Sequence, residues 1–289
     1  MITHTLTVDG GGTKTAMRLK RISPTPSVIK ERTLAATSLT LYGETAITQL
    51  THYIEEMLSV NQINPKQCYI VVGVAGAGNA QLKAKLQLAL SHFPNLYVTT
   101  DAEASVVGAN RGDGVNCIAI GTGSVAIQLD NQYVTHQFGG WGFPIGDQGG
   151  GAWLGFQAVQ QALVEFDAQR CSLTSQLVMK KTGNVRSAIL KWTRSANATD
   201  YAQFAKELVE LEPCCPTAKN IVEQGIQEIE RLARICSDNN SLPIMFLGSL
   251  GSFYRDKLPQ ALQDRSLEVQ GNALDGAEII AHQKLCPLN

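Results

Sequence analysis

No window of the sequence approaches the roughly 20 consecutive apolar residues that a bilayer-spanning helix needs, and the opening MITHTLTVDGGG carries no basic leader ahead of an apolar core. A cytoplasmic protein with no membrane partner is therefore expected. Excess charge of one sign is missing too: 24 Lys and Arg stand against 25 Asp and Glu, a formal net charge of -1. That balance offers no basic field to a polyanion, so no nucleic acid is expected as partner. The seven cysteines (Cys68, Cys117, Cys171, Cys214, Cys215, Cys236 and Cys286) are odd in number, scattered and without CxxC spacing. Reduced thiols are expected rather than a disulfide framework or a zinc site. His4, His52, His92, His136 and His282 show no paired spacing for a metal. Two nucleotide signatures are also lacking. There is no GxxxxGK[ST] loop, and the glycine turn of VDGGGTKTAMRL leads into a second strand instead of a helix, which sets the Rossmann fingerprint aside.

What is present is an ordinary globular composition, 44% apolar and 17% charged, over 289 residues. That length exceeds a single hydrophobic core and predicts two lobes with a site in the cleft between them. Runs at 2–9, 13–21 and 27–35 read as an antiparallel meander. The helical segment GETAITQLTHYIEEMLSV, a buried strand in CYIVVGVAG, a helix over 79–91, the strand LYVTT and a helix opening at Asp101 follow. VNCIAIGTGSVAIQLDNQYVTHQF then repeats the strand, turn, strand, turn, strand order of the start. The chain turns mostly helical from about 150 to 238, returns to a strand in LPIMFLGSLG, and closes with a helix, the strand SLEVQG and a last helix. The expected lobes are 1–110 and 111–289, with the last helix a candidate to pack back on the first lobe.

Three glycine turns carry the chemistry. In DGGGTKT, Gly10, Gly11, Gly12, Thr13 and Lys14 follow the acid Asp9 at a strand end. Backbone N–H groups in such a turn form an anion-binding concavity, and the acid could hold a hydrated Mg²⁺ against bound phosphates; a plain tight hairpin is the bland alternative. IAIGTGSVAIQL is a second such hairpin, with Gly121 and Thr122 at its apex. IMFLGSLGSFY ends a buried strand in Gly248, Ser249 and Gly251, where a base and ribose could lie against backbone, or an ordinary turn could join strand to helix. Asp147, set among the glycines of FGGWGFPIGDQGGGAWLG, reads on its own as an N-cap before a helix starting near Gly149. Asp101 in VTTDAEAS invites the same reading.

The order of these segments, together with TDAEASVVGA and NALDGAEIIA, resembles the actin, hexokinase and acetate kinase superfamily. Within it the chain is similar to the BadF/BadG/BcrA/BcrD ATPase-like group, closest to its N-acetylglucosamine and glucosamine kinases. The resemblance implies an α/β, two-lobed ribonuclease-H-like fold with a duplicated mixed sheet, flanking helices and an interlobe cleft. It implies ATP and Mg²⁺ as cofactors and phosphoryl transfer to a hydroxyl of an amino sugar, O6 by analogy. It places Asp101 as the base, with Glu103 as fallback. Gly140, Trp141, Asp147 and Ser124 fall at the sugar. Many relatives dimerise, so a homodimer is a further expectation.

Two departures matter. Val125 follows GTGS where the human-type acetylglucosamine kinases carry Asn, and AATSLTLYG offers only Thr37, Ser38 and Thr40 where they carry another Asn. The same group contains ATPase activators of 2-hydroxyacyl-CoA dehydratases, for which Cys68 and Cys117 are the nearest candidate thiols, and a non-catalytic ATP-dependent sensor is a third reading.

Overall fold

A computed structural model describes residues 1–286. In chain order the elements are β1 (His4–Gly10), β2 (Thr15–Arg21), β3 (Ser27–Leu34), α1 (Leu39–Val60), β4 (Cys68–Val74), α2 (Ala80–Ala89), β5 (Leu96–Thr99), α3 (Asp101–Ala109), β6 (Val115–Ile120), β7 (Ser124–Leu129) and β8 (Thr135–Gly139). The helices α4 (Gly151–Asp167), α5 (Leu173–Thr182), α6 (Arg186–Ser195), α7 (Ala198–Ala202), α8 (Ala205–Leu211) and α9 (Pro216–Ser237) follow. The strand β9 (Ile244–Leu247) and helices α10 (Gly251–Arg255), α11 (Gln260–Gln263) and α12 (Ala273–Leu285) close the chain.

The chain forms two compact units. The first holds residues 1–114, the β7–β8 turn at 129–135 and the described residues from Val269 to Cys286; the second holds 115–128 and 136–268. In the first unit the sheet order is β3-β2-β1-β4-β5, with β1–β2 and β2–β3 antiparallel and β1–β4 and β4–β5 parallel. The interior strand β4 reads CYIVVGV, a nearly continuous apolar run, as a strand covered on both faces does. Leu6, Val8, Met17, Leu19, Ile70 and Val72 form its core with the apolar side of α1. The helix α12 packs against α3 and β1. In the second unit the order β8-β7-β6-β9 repeats the first four positions of the first sheet, with β6–β9 parallel. The long helices α4 and α9 and the short α7 and α8 enclose a core that includes Ile118, Ile120, Leu154, Phe204 and Tyr254.

Three boundaries differ from the sequence reading. The first helix starts at Leu39, four residues early, with Ser38 accepting from Leu41 N–H, and breaks at Gly43, whose φ of 49° and ψ of -123° are non-helical. SLEVQG is not a strand: it makes one isolated bridge, Ser266 to Ile244, in which Ile244 N–H donates to Arg265 O and Leu267 N–H to Ile244 O, all at the first residue of β9. Neither Asp101 nor Asp147 takes the cap role that is the plainer of its two readings. Thr100 caps α3, its hydroxyl accepting from Glu103 N–H at 2.9 Å, and Gly150 precedes α4 without a side-chain cap.

Candidate active site

Strand register sets the first group of residues. Asp9 of β1 lies opposite Gly73 of β4, and Gly73 lies opposite Thr99 of β5, so the three positions form one row across three parallel strands. Asp101 follows Thr99 by two residues and opens α3. Both carboxylates thus stand at the carboxyl ends of the parallel strands, the side of such sheets where ligands bind. Each is partly buried, and burial pushes both acids above the usual carboxylate range. The Asp101 charge raises Asp9 further and the Lys14 ammonium pulls it back. At Asp101 the N–H groups of Ala102 and of Asp101 itself oppose the shift. Because Thr100 does the capping, the Asp101 carboxylate is left for other work. Glu103 is engaged by the Thr99 hydroxyl.

The hairpin after Asp9 spans Gly11–Lys14, closed by Gly11 N–H to Lys14 O at 3.0 Å. Gly12, Thr13 and Lys14 are exposed, and among the described residues the N–H groups of Gly12 and Thr13 have no protein acceptor. Thr37, one of the polar candidates near this turn, is fully buried. Its hydroxyl meets that of Thr15 at 2.7 Å and its N–H bonds Gly11 O, so it braces the hairpin instead of facing a ligand. Ser38 is spent on the α1 cap, and Thr40 is exposed.

In the second unit the hairpin at Gly121–Gly123 is held by α4. Gly151 N–H bonds Gly121 O and Ala152 N–H bonds Thr122 O, both at 2.8 Å. The first donors of α4, which would otherwise be orphaned or face an anion, are used inside the protein. Gly248, which follows β9, has φ of 86° and lies so close to Ile120 that a Cβ there would be 2.2 Å from its carbonyl oxygen. Only glycine fits. Leu250 N–H then bonds Ile120 O at 3.1 Å, which fastens the Gly248–Gly251 turn beside the hairpin. Gly121, Thr122 and Ser249 line one cavity of about 460 Å³ with the apolar side chains Ala205, Val209 and Phe253. The helix α8 that supplies Ala205 and Val209 gave no sign of this wall in the sequence, since its apolar residues read as ordinary core.

Asp147 adopts a left-handed backbone with φ of 63°, a region that Asp tolerates better than most residues. The turn carries its carboxylate back over the loop, where Oδ1 accepts from Gly142 N–H at 3.0 Å. A Cβ on Gly123 would stand 2.1 Å from Oδ2, so the acid rests directly on the hairpin. Burial raises its pKa, and the Gly142 bond opposes that. Asp147, Gly140, Trp141 and Ser124 line a second cavity of about 200 Å³. The Ser124 hydroxyl is turned to Gln148 O at 2.8 Å, and Trp141 is 86% exposed. Val125 packs under the loop against Gly140. Glu228 and Arg231 of α9 also reach this cavity; in the sequence they are two charges on an amphipathic helix.

Among the described residues no group of three or more His, Cys, Asp or Glu could hold a metal, and no helix is long and apolar enough to cross a membrane. Cys68 and Cys117 are buried, and burial pushes the Cys68 thiol up to about 12.

The chain is similar to known proteins. The glucosamine kinase GspK of Vibrio cholerae is 26% identical over 281 residues, covering 95% of this chain and 94% of that protein. The N-acetylmuramic acid/N-acetylglucosamine kinase of Clostridium acetobutylicum is 28% identical over 170 residues, 57% of this chain and 55% of that one. A crystal structure named "Putative N-acetylglucosamine Kinase", from Chromobacterium violaceum, superposes with a TM-score of 0.85 at 27% identity, covering 97% of this chain and 99% of that one. The ROK hexokinase of Thermus thermophilus shares the fold at a TM-score of 0.57 and 13% identity, covering 98% of this chain and 99% of that one. The profile of the BadF/BadG/BcrA/BcrD ATPase family matches residues 6–274, and the chain belongs to that family.

Proposed function

We propose that the protein is an ATP-dependent amino-sugar kinase that transfers the γ-phosphoryl group to a hydroxyl, O6, of N-acetylglucosamine or glucosamine. The class is that of phosphotransferases with an alcohol acceptor, as the names of its relatives have it. The observation that carries the reading is the pair Asp9 and Asp101 at the carboxyl ends of parallel strands, followed after Asp9 by a glycine hairpin in which Gly12 and Thr13 are exposed and their N–H groups have no acceptor among the described residues.

Phosphoryl transfer needs positioned reactants, neutralised phosphate charge and an acceptor for the hydroxyl proton. Asp101 is the base, its carboxylate free of capping duty and its affinity for a proton raised by burial. Asp9 would hold Mg²⁺. Its carboxylate takes no protein donor among the described residues, and a single carboxylate plus substrate phosphates is the usual way that ion is bound. When bound, the ion would supply charge neutralisation at the phosphates. Gly10 to Lys14 and Gly121 to Thr122 cradle phosphates. Adenosine would take the cavity that Ser249 lines, whose apolar wall suits a base, with Gly248 and Gly251 shaping the turn that presents Ser249. Gly140, Trp141, Ser124 and Asp147 hold the sugar, Asp147 accepting from its hydroxyls.

Coupled ADP release with ATP and Mg²⁺ tests this against N-acetylglucosamine, glucosamine, N-acetylmannosamine, glucose and no sugar. Strong dependence on an amino sugar is expected. Equal release with every sugar and with none would overturn the kinase reading.

A further inference from the structure

The proposed sugar cavity has a second charged wall. Glu228 and Arg231 rise from α9 beside Asp147. Helix α9 is seated against the sugar loop: a Cβ on Gly139 would lie 3.2 Å from Leu232, and one on Gly149 would lie 2.7 Å from Ile229. The two charged side chains are thereby carried to the cavity by packed backbone. Arg231 spends two donors on one oxygen of Glu228, Nη2 at 2.6 Å and Nε at 3.0 Å to Oε2. Among the described residues Oε1 has no protein donor. The cavity, about 200 Å³, is smaller than the ~300–1,000 Å³ of drug-sized sites and suits a single sugar ring.

Its charges do not balance. Asp147 and Glu228 bring two carboxylates against the one guanidinium of Arg231, and that guanidinium is already paired. A neutral acetamido group would leave the excess negative charge uncompensated. An ammonium would neutralise it and donate to Oε1, a charge-assisted bond of the stronger kind. Val125 adds no polar group where it meets Gly140, and the two side-chain amides nearby, Gln137 and Gln148, donate to Gly139 O at 3.2 Å and Ile145 O at 2.8 Å. Resting on the kinase reading above, we infer that the protein's substrate is a 2-amino sugar with a free ammonium and that Glu228 is the residue selecting it.

The test is the ratio of kcat/KM for glucosamine to kcat/KM for N-acetylglucosamine, which a general loss of folded enzyme leaves unchanged. Wild-type enzyme should prefer glucosamine. Glu228→Gln should lower the ratio at least tenfold, Glu228→Asp should restore part of it, and Arg231→Ala, which unpairs Glu228, should raise it. A wild-type preference for N-acetylglucosamine would overturn the inference and spare the kinase reading. So would an unchanged ratio in Glu228→Gln. Absence of turnover with either sugar, alongside sugar-independent ADP release, would remove both.

Discussion

The two glycine hairpins follow the same strand order yet are supported by different means. The Gly11–Lys14 hairpin is braced by buried hydroxyls beside the one backbone bond from Thr37 N–H to Gly11 O: the Thr15 and Thr37 hydroxyls meet at 2.7 Å, and Thr15 also donates to Ala35 O at 2.7 Å. The Gly121–Gly123 hairpin is braced by the first N–H groups of α4, with the carboxylate of Asp147 lying on Gly123. A repeated strand pattern therefore does not repeat its vulnerabilities. The first turn is sensitive to losing a hydroxyl, the second to gaining a methyl.

The carboxylate pair beside the first hairpin should show the largest effect. Asp101→Asn is expected to lower kcat by about 10²–10⁴-fold, the usual worth of a general base, with sugar binding by calorimetry retained. The same residue sets the acid limb of the pH profile. A base must be ionised to act, and burial raises its pKa, so kcat/KM should begin to fall with decreasing pH above the ordinary Asp value of about 3.9. A limb at the ordinary value would separate Asp101 from the chemistry.

Next in size is Gly123→Ala. The new methyl cannot coexist with Asp147 Oδ2, and moving that acid should raise the sugar KM on the order of tenfold, equivalent to about 1.4 kcal/mol. Asp147→Ala should raise it comparably. If Gly123→Ala were silent, the contact that distinguishes the second hairpin would have no functional weight.

The smallest effect belongs to Thr37→Val. It removes a buried hydroxyl while Thr15 keeps its bond to Ala35, so about 1 kcal/mol should be lost, a Tm decrease of roughly 2–4 °C. The equivalent change at Thr122, whose hydroxyl braces nothing among the described residues, should leave Tm in place.

Much of the candidate site was legible because its signals are local. Glycine turns after apolar strands, the acids at strand ends and the repeated strand order are all visible in runs of a dozen residues. The cap readings of Asp101 and Asp147 failed for a reason that single-residue preference does not contain. At α3 a better-placed hydroxyl, Thr100, precedes the acid, and at Asp147 a left-handed turn directs the carboxylate to Gly142 N–H. SLEVQG had strand composition, but β9 offers it only one bridge.

By itself the sequence determined the order of the elements, the hairpins and the acids that border them, since periodicity and glycine placement act over short range. Tertiary structure alone decided what each polar group does. It buried Thr37 behind a hairpin, used the α4 donors on carbonyls, and brought Ala205, Val209 and Glu228 to cavities from helices far along the chain. Those outcomes depend on which surfaces are desolvated together, and desolvation is a property of the packed chain.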